Sequence, residues 1–383
     1  TPSAPLKLTN MGPKLDHAID PFWVSRQSLD ADSDALMPGC GWLPSSWMPH
    51  EEIRKAMRKL ARGEIALLSD YGSTKGSIKL RQWLARQSAE EGLPVDPEHI
   101  LLTPSGTQSI DLICRLLLKP GDCVLVDDPC YFNFQALLKA HQVKIIGVPF
   151  GLNGPDVEVF RASVEQHSPR IYLTNSALHN PRGARISAHI AQKLIVAATA
   201  HDVIIVEDDI FADFEPDRSP RMAVMDGLEQ VIRIGSFSKT LSASVRCGYI
   251  AAKSEWIEAL VDLQVATNFG GPSPLSSGLI YSVLSSGGYR KHLNFIRQRL
   301  DQKRMTVAKE LEALGCTVPV SPRGGFYLWC KLPEHKASAE IAKQALMQGV
   351  VLAPGNVFSP SLSKQAFMRF NVSQMHGNAL LVL

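Results

Sequence analysis

Short apolar runs punctuate the chain from about residue 99 to residue 251. They are His99–Thr103, Cys123–Val126, Lys144–Val148, Arg170–Thr174, Val203–Val206, Val231–Ile234 and Gly248–Ala251. Between most of them, apolar residues recur at helical spacing, over Gln108–Lys119, Phe132–His141, Val157–His167 and Ser187–His201. Runs this apolar predict strands covered on both faces, and the strand–helix alternation predicts a mainly parallel seven-stranded sheet flanked by helices. The runs near 231 and 248 lie too close together for a helical crossover, so one of them is expected to run antiparallel. Upstream, Glu51–Arg62 places Ile53, Ala56, Met57 and Leu60 on one helical face. Downstream come a long helix over about Tyr289–Leu314, a run at Phe326–Cys330, a helix at Ala339–Gln348 and short runs at Val350–Leu352 and Phe367–Asn371. That second set predicts a smaller α+β unit. The expected organisation is an arm or linker remnant over 1–45, a large domain over 46–285 and a small C-terminal domain over 286–383.

Composition narrows the class. The 383 residues are 45% hydrophobic and 20% charged, with a net charge of +3, which gives no electrostatic argument for nucleic acid or an anionic membrane. No apolar stretch is long enough to span a bilayer. The seven cysteines are scattered without a CxxC pair, which fits reduced structural thiols in a cytoplasmic protein. No cluster of ligand-spaced histidines points to a metal.

Open α/β sheets bind ligands beyond the carboxyl ends of their strands, and polar residues concentrate there in this chain. Gly235-Ser236-Phe237-Ser238-Lys239, followed by Arg246, delivers two hydroxyls, an amine and a guanidinium after one buried run. Hydroxyls with an arginine suit a phosphate, and a partly desolvated lysine suits nucleophilic addition to a carbonyl. A surface lysine beside a serine-rich loop is the plain alternative. Asp208 follows another apolar run and needs a partner if buried; a pyridinium N–H⁺ is one, a metal ion another. Its neighbours Glu207 and Asp209 read as solvated or helix-capping. Ser105-Gly106-Thr107-Gln108 opens a helix, as a phosphate cradle or as an ordinary cap. Tyr131 can stack on a flat ring or sit in the core. Asn180 is a turn residue or a donor to a ring oxygen. Arg369 interrupts an apolar strand and requires an anion, whether a ligand carboxylate or an internal salt bridge.

In their order and spacing these motifs resemble the pyridoxal 5′-phosphate (PLP)-dependent aminotransferases of class I/II, fold type I, from about residue 39 to 371. The resemblance implies a catalytic set of Lys239, Asp208 and Tyr131. Lys239 bonds covalently to PLP, Asp208 pairs the pyridine nitrogen and Tyr131 stacks on the ring. Asn180 donates to the phenolic oxygen. Ser105, Gly106, Thr107, Ser236 and Arg246 hold the phosphate, with Ser238 nearby. Tyr71 reaches the cofactor of the other subunit, which implies a homodimer. Arg369, Asn180, Gly41 and Trp42 form the substrate side, Arg369 gripping an α-carboxylate. The family's tyrosine two or three positions after the aspartate is replaced by Ile210 and Phe211, neither of which can donate, so weak transaminase activity is expected.

A narrower resemblance rests on Gly39-Cys40-Gly41-Trp42-Leu43-Pro44, Asp127-Asp128-Pro129-Cys130-Tyr131, Glu207-Asp208-Asp209-Ile210-Phe211 and Gly235-Ser236-Phe237-Ser238-Lys239. These look like the aminotransferase-like domains of MocR-type regulators in the GntR superfamily. That implies an effector-sensing domain for an amino acid or related amine, with DNA contacted only through a module absent from this chain. The start at Thr1, in linker-like sequence, fits removal of such a module. A stand-alone aminotransferase moving an amino group between an amino acid and a 2-oxo acid is the alternative.

Overall fold

The computed structural model describes residues 21–32, 34–63, 65–333 and 337–375. The seven apolar runs become seven strands: β1 (Ile100–Thr103), β2 (Cys123–Asp128), β3 (Lys144–Pro149), β4 (Ile171–Thr174), β5 (Ile204–Asp208), β6 (Val231–Ser236) and β7 (Gly248–Ala251). They form one sheet in the order β1-β7-β6-β5-β4-β2-β3. β2 through β6 pair in parallel, whereas β7 runs antiparallel to both β1 and β6. The expected antiparallel member is therefore β7, inserted by a short return from Ser236 to Gly248. β1, β2 and β4 are buried along their whole length, but β3 lies at the sheet edge and is largely half-exposed, unlike the two-sided burial its apolar pattern suggested.

Helices Gly106–Leu117, Phe132–Ala140, Val157–His167 and Ala188–Ala200 follow β1 to β4 in turn. Asp156 and Ser187 cap two of them by accepting backbone N–H groups of the first turn. The helices Ile78–Glu90, Ser254–Asn268 and Pro274–Ser285 complete the layers. Leu80, Leu84 and Ser88, all buried, carry a four-residue repeat along the first of these.

The smaller sheet has the order β8-β10-β9, with β8 (Tyr327–Lys331), β9 (Ala353–Pro354) and β10 (Phe367–Asn371), all antiparallel. The expected strand at Val350–Leu352 thus lies a few residues later. The backbone at 349–351 is engaged elsewhere: Leu36 N–H donates to Gly349 O, and Val351 N–H to Leu36 O. Residues 21–45 are correspondingly more than a surface arm. A helix at Pro21–Leu29 buries Val24, and Leu43 is buried in the same core as β8 and β10. Residues 1–20 and 376–383 of the expected outer segments lie outside the described residues. The Gly288–Ala313 helix joins the halves, with Tyr289 and Leu293 in the core of the large sheet and Ile296, Leu300, Val307 and Leu311 in the other. The seven cysteines are all buried. Among the described residues, no helix is long and apolar enough to cross a membrane.

Candidate functional site

A cavity of about 100 Å³ opens at the carboxyl ends of β1, β5 and β6. Ser105, Gly106 and Thr107 line it from the first helix, and Ser236, Ser238, Lys239 and Arg246 from the β6–β7 return. Tyr131, Asn180 and Asp208 close it from the turns after β2, β4 and β5. All ten are residues the sequence assigns to a cofactor, and the fold brings them together from separate stretches of chain.

At one end the cavity is built to take an anion. Ser105 caps the Gly106–Leu117 helix, its Oγ accepting Gln108 N–H at 3.1 Å, and Gly106 and Thr107 of that first turn line the cavity. Ser236 Oγ lies 3.1 Å from Ser238 Oγ. Arg246 adopts a left-handed backbone (φ 53°), and its guanidinium has no carboxylate partner among the described residues. Gly248 lets β7 approach this loop: a Cβ there would sit 2.8 Å from the Ser105 carbonyl carbon and 2.9 Å from Gly106 N.

At the other end stand an acid and an amine. Asp208 is 6% exposed, and its Oδ1 accepts the Ile210 N–H at 3.1 Å. Burial pushes its carboxyl up to about 7, against the opposing pull of that N–H and of Lys239. Burial likewise pushes the Lys239 amine down to about 8, with Arg369 and Arg246 adding to the effect and Cys40 and Asp208 opposing it. Lys239 Nζ donates to Gly41 O at 2.6 Å. A buried carboxylate without a bonded cation and a partly neutral lysine share one cavity.

Arg369 is fully buried, at 0% exposure, yet has no acidic partner among the described residues. Its Nη1 donates to Asn180 Oδ1 at 2.9 Å and its Nη2 to Gly39 O at 2.6 Å, while its Nε has no acceptor. The internal salt bridge that the sequence left open is therefore not the one these residues form. The guanidinium lies 4.1 Å over the Tyr327 ring. Gly41 sits against Lys239, held by Asn371, whose Nδ2 donates to Trp42 O at 2.7 Å. The Trp42 side chain is not brought into the Lys239 cavity; it lines a neighbouring cleft of about 870 Å³ beside Ser238. Tyr71 is also outside the cavity, 81% exposed and packed edge-on against Phe269.

Two features escape the sequence reading. Tyr327 lines the cavity, but within the apolar run Phe326–Cys330 it reads as a core strand residue. Asp209 is buried rather than solvated. Its carboxylate accepts from Arg221 Nε at 2.6 Å and Arg233 Nε at 2.9 Å, and the two arginines extend the network to Glu215 and Glu91. Glu207 does cap a helix, accepting Met222 and Ala223 N–H at 2.9 Å.

The family model for aminotransferase class I and II matches residues 43–381. The uncharacterized HTH-type transcriptional regulator YisV of Bacillus subtilis strain 168 is 26% identical over 330 residues, 85% of this chain and 68% of that protein. The uncharacterized HTH-type regulator YdcR of Escherichia coli K12 is 24% identical, over 94% of this chain and 78% of its own length. A 2-aminoadipate transaminase of Thermus thermophilus is 28% identical, over 84% and 82%. Among solved structures, the Pyrococcus horikoshii kynurenine aminotransferase superposes with a TM-score of 0.86 at 22% identity, covering 98% of this chain and 95% of the other. That likeness is one of fold.

Proposed function

The chain belongs to the aminotransferase class I and II family, and from that premise we propose that Lys239 holds pyridoxal phosphate, the cofactor of the family, beside a site for an amino acid or related amine. The observation that carries this reading is the pairing of Asp208, buried without a bonded cation, with Lys239 in a cavity whose far end offers unpaired anion donors. The residues fit the group. Ser105, Gly106, Thr107, Ser236 and Arg246, with Ser238 nearby, would hold its phosphate, Asp208 its ring N–H⁺, Tyr131 its face and Asn180 its phenolic oxygen. When bound, the cofactor supplies an aldehyde that takes up amines and a protonated ring that withdraws electrons.

The protein's own groups then divide the work. Lys239 Nζ, with its basicity lowered to about 8, is in part unprotonated near neutral pH and can add to a carbonyl or accept a proton from a neighbouring carbon. Arg369 takes the ligand's carboxylate by charge-assisted bonds, each contributing roughly 1.5–3 kcal/mol. Asn180, whose Oδ1 accepts from Arg369, would keep its amide N–H₂ to donate to the phenolic oxygen. Gly41 bounds the space above Lys239.

The role that fits best is effector sensing in a MocR-type regulator of the GntR superfamily, a cytoplasmic homodimer. Relatives named as HTH-type regulators support it, as do Ile210 and Phe211, which cannot donate to the phenolic oxygen. DNA would be contacted by a different module. The alternative, a stand-alone aminotransferase, is favoured by the Thermus relative, matched over 82% of its length. A winged-helix pattern in the coding sequence upstream of Thr1 decides between the two. For the site itself, borohydride reduction in the presence of pyridoxal phosphate should leave a phosphopyridoxyl group, the cofactor less the water lost on condensation plus the two hydrogens of reduction, on the wild type and not on Lys239→Ala; a labelled mutant would refute the assignment.

A further inference from the structure

Tyr327 is a donor that the fold builds into the cavity and leaves unused. It comes from β8 in the smaller sheet and is 4% exposed. Its ring is fixed on several sides, by the Arg369 guanidinium at 4.1 Å, the Phe326 ring at 4.4 Å and the Phe211 ring at 5.6 Å. Its hydroxyl has no hydrogen-bond partner among the described residues, although a buried O–H is normally satisfied. That oxygen borders Gly41: a Cβ on Gly41 would lie 3.3 Å from Tyr327 Oη and 3.8 Å from Lys239 Nζ. Lys239 does not use it, because its amine donates to Gly41 O instead. A fixed phenol O–H therefore stands beside Gly41 and the amine without an acceptor, its ring face covered by the arginine.

We propose that Tyr327 is a substrate-binding residue, its hydroxyl donating to the carboxylate that Arg369 engages. The proposal rests on the reading of Arg369 and Lys239 given above. Chemistry selects the carboxylate. The neighbouring charged groups, Lys239 and Arg369, are themselves donors, so an ammonium or other cation would leave the O–H unsatisfied, whereas an anion satisfies it together with the orphaned Arg369 Nε–H. Burial raises the phenol's pKa, which keeps the proton on Oη. Ligands with an α-carboxylate are then distinguished from simple amines by two side chains of the small sheet acting on one group.

The test compares two amines that differ in that group. Wild type and Tyr327→Phe, each loaded with pyridoxal phosphate, are titrated with 2-methylalanine, which has a carboxylate and no α-proton, and with isopropylamine, which lacks the carboxylate. Cofactor absorbance reports binding, and thermal melting checks that loss of one oxygen leaves the fold intact. Tyr327→Phe should bind 2-methylalanine about tenfold more weakly and isopropylamine as before. Incorporation of 4-aminophenylalanine at 327, which restores a donor at nearly the same place, should recover the affinity. Equal losses for both amines, no loss for either, or no recovery with 4-aminophenylalanine would each overturn the proposal. Failure of the wild type itself to take up the cofactor would remove its premise instead, and that outcome is recognised before any amine is added.

Discussion

Asp208 is held in an environment that disfavours its own charge. In the cofactor-free protein its carboxyl titrates near 7, against 3.8 for an ordinary aspartate. Between those values the folded chain holds a proton that the unfolded chain releases. Stability from this group is therefore fully present below about pH 4 and is lost as pH rises through 7. Asp208→Asn should accordingly make the cofactor-free protein more stable at pH 8, by roughly 2–4 kcal/mol, with the gain shrinking toward pH 4. Urea melts at the two pH values measure this. The same change should weaken pyridoxal phosphate by tenfold or more, because the ring nitrogen loses its counter-charge. Asp208 and Lys239 are legible in the sequence because each polar group closely follows an apolar run. Tyr327 is not, since a tyrosine inside such a run reads as packing. Asp209 reads wrongly as solvated because its partners, Arg221 and Arg233, come from later in the chain and no local pattern links them.

The strands deliver these residues, and the spacing between strands sets how closely their ends converge. β7 reaches the Ser105–Gly106 turn only because residue 248 lacks a side chain. In Gly248→Ala the added methyl meets backbone atoms of the Ser105–Gly106 turn, which cannot rotate away. A stability loss of about 1–3 kcal/mol should appear in thermal melts, together with weaker cofactor uptake by titration. Strand positions are readable because burial on two faces leaves an uninterrupted apolar signature. β9 is displaced from its expected place because the backbone at 349–351 pairs with Leu36, a long-range choice that periodicity does not encode.

At the scale of the whole molecule, Tyr71 carries a prediction that concerns two chains. It is exposed near other exposed apolar side chains, among them Phe269, and stands outside its own cavity. If it serves a partner's cofactor, mixing Lys239→Ala with Tyr71→Ala subunits should create hybrids with one intact site, and tight cofactor binding should return on mixing. Binding no better than in the separate mutants would place Tyr71's role within its own chain. A single sequence can suggest the residue but not the chain it serves. The buried charges behind Asp208 have a consequence of another kind. Asp209, Glu215, Arg221, Arg233 and Glu91 come from separate stretches of chain and pair with one another, Arg218 joining at Glu91. Losing Asp209 or either arginine strands a charge at a cost of about 3–5 kcal/mol. Descendants of this protein can therefore abandon the set only together, and until they do the chain just behind the acid is held fixed by inheritance as firmly as by packing.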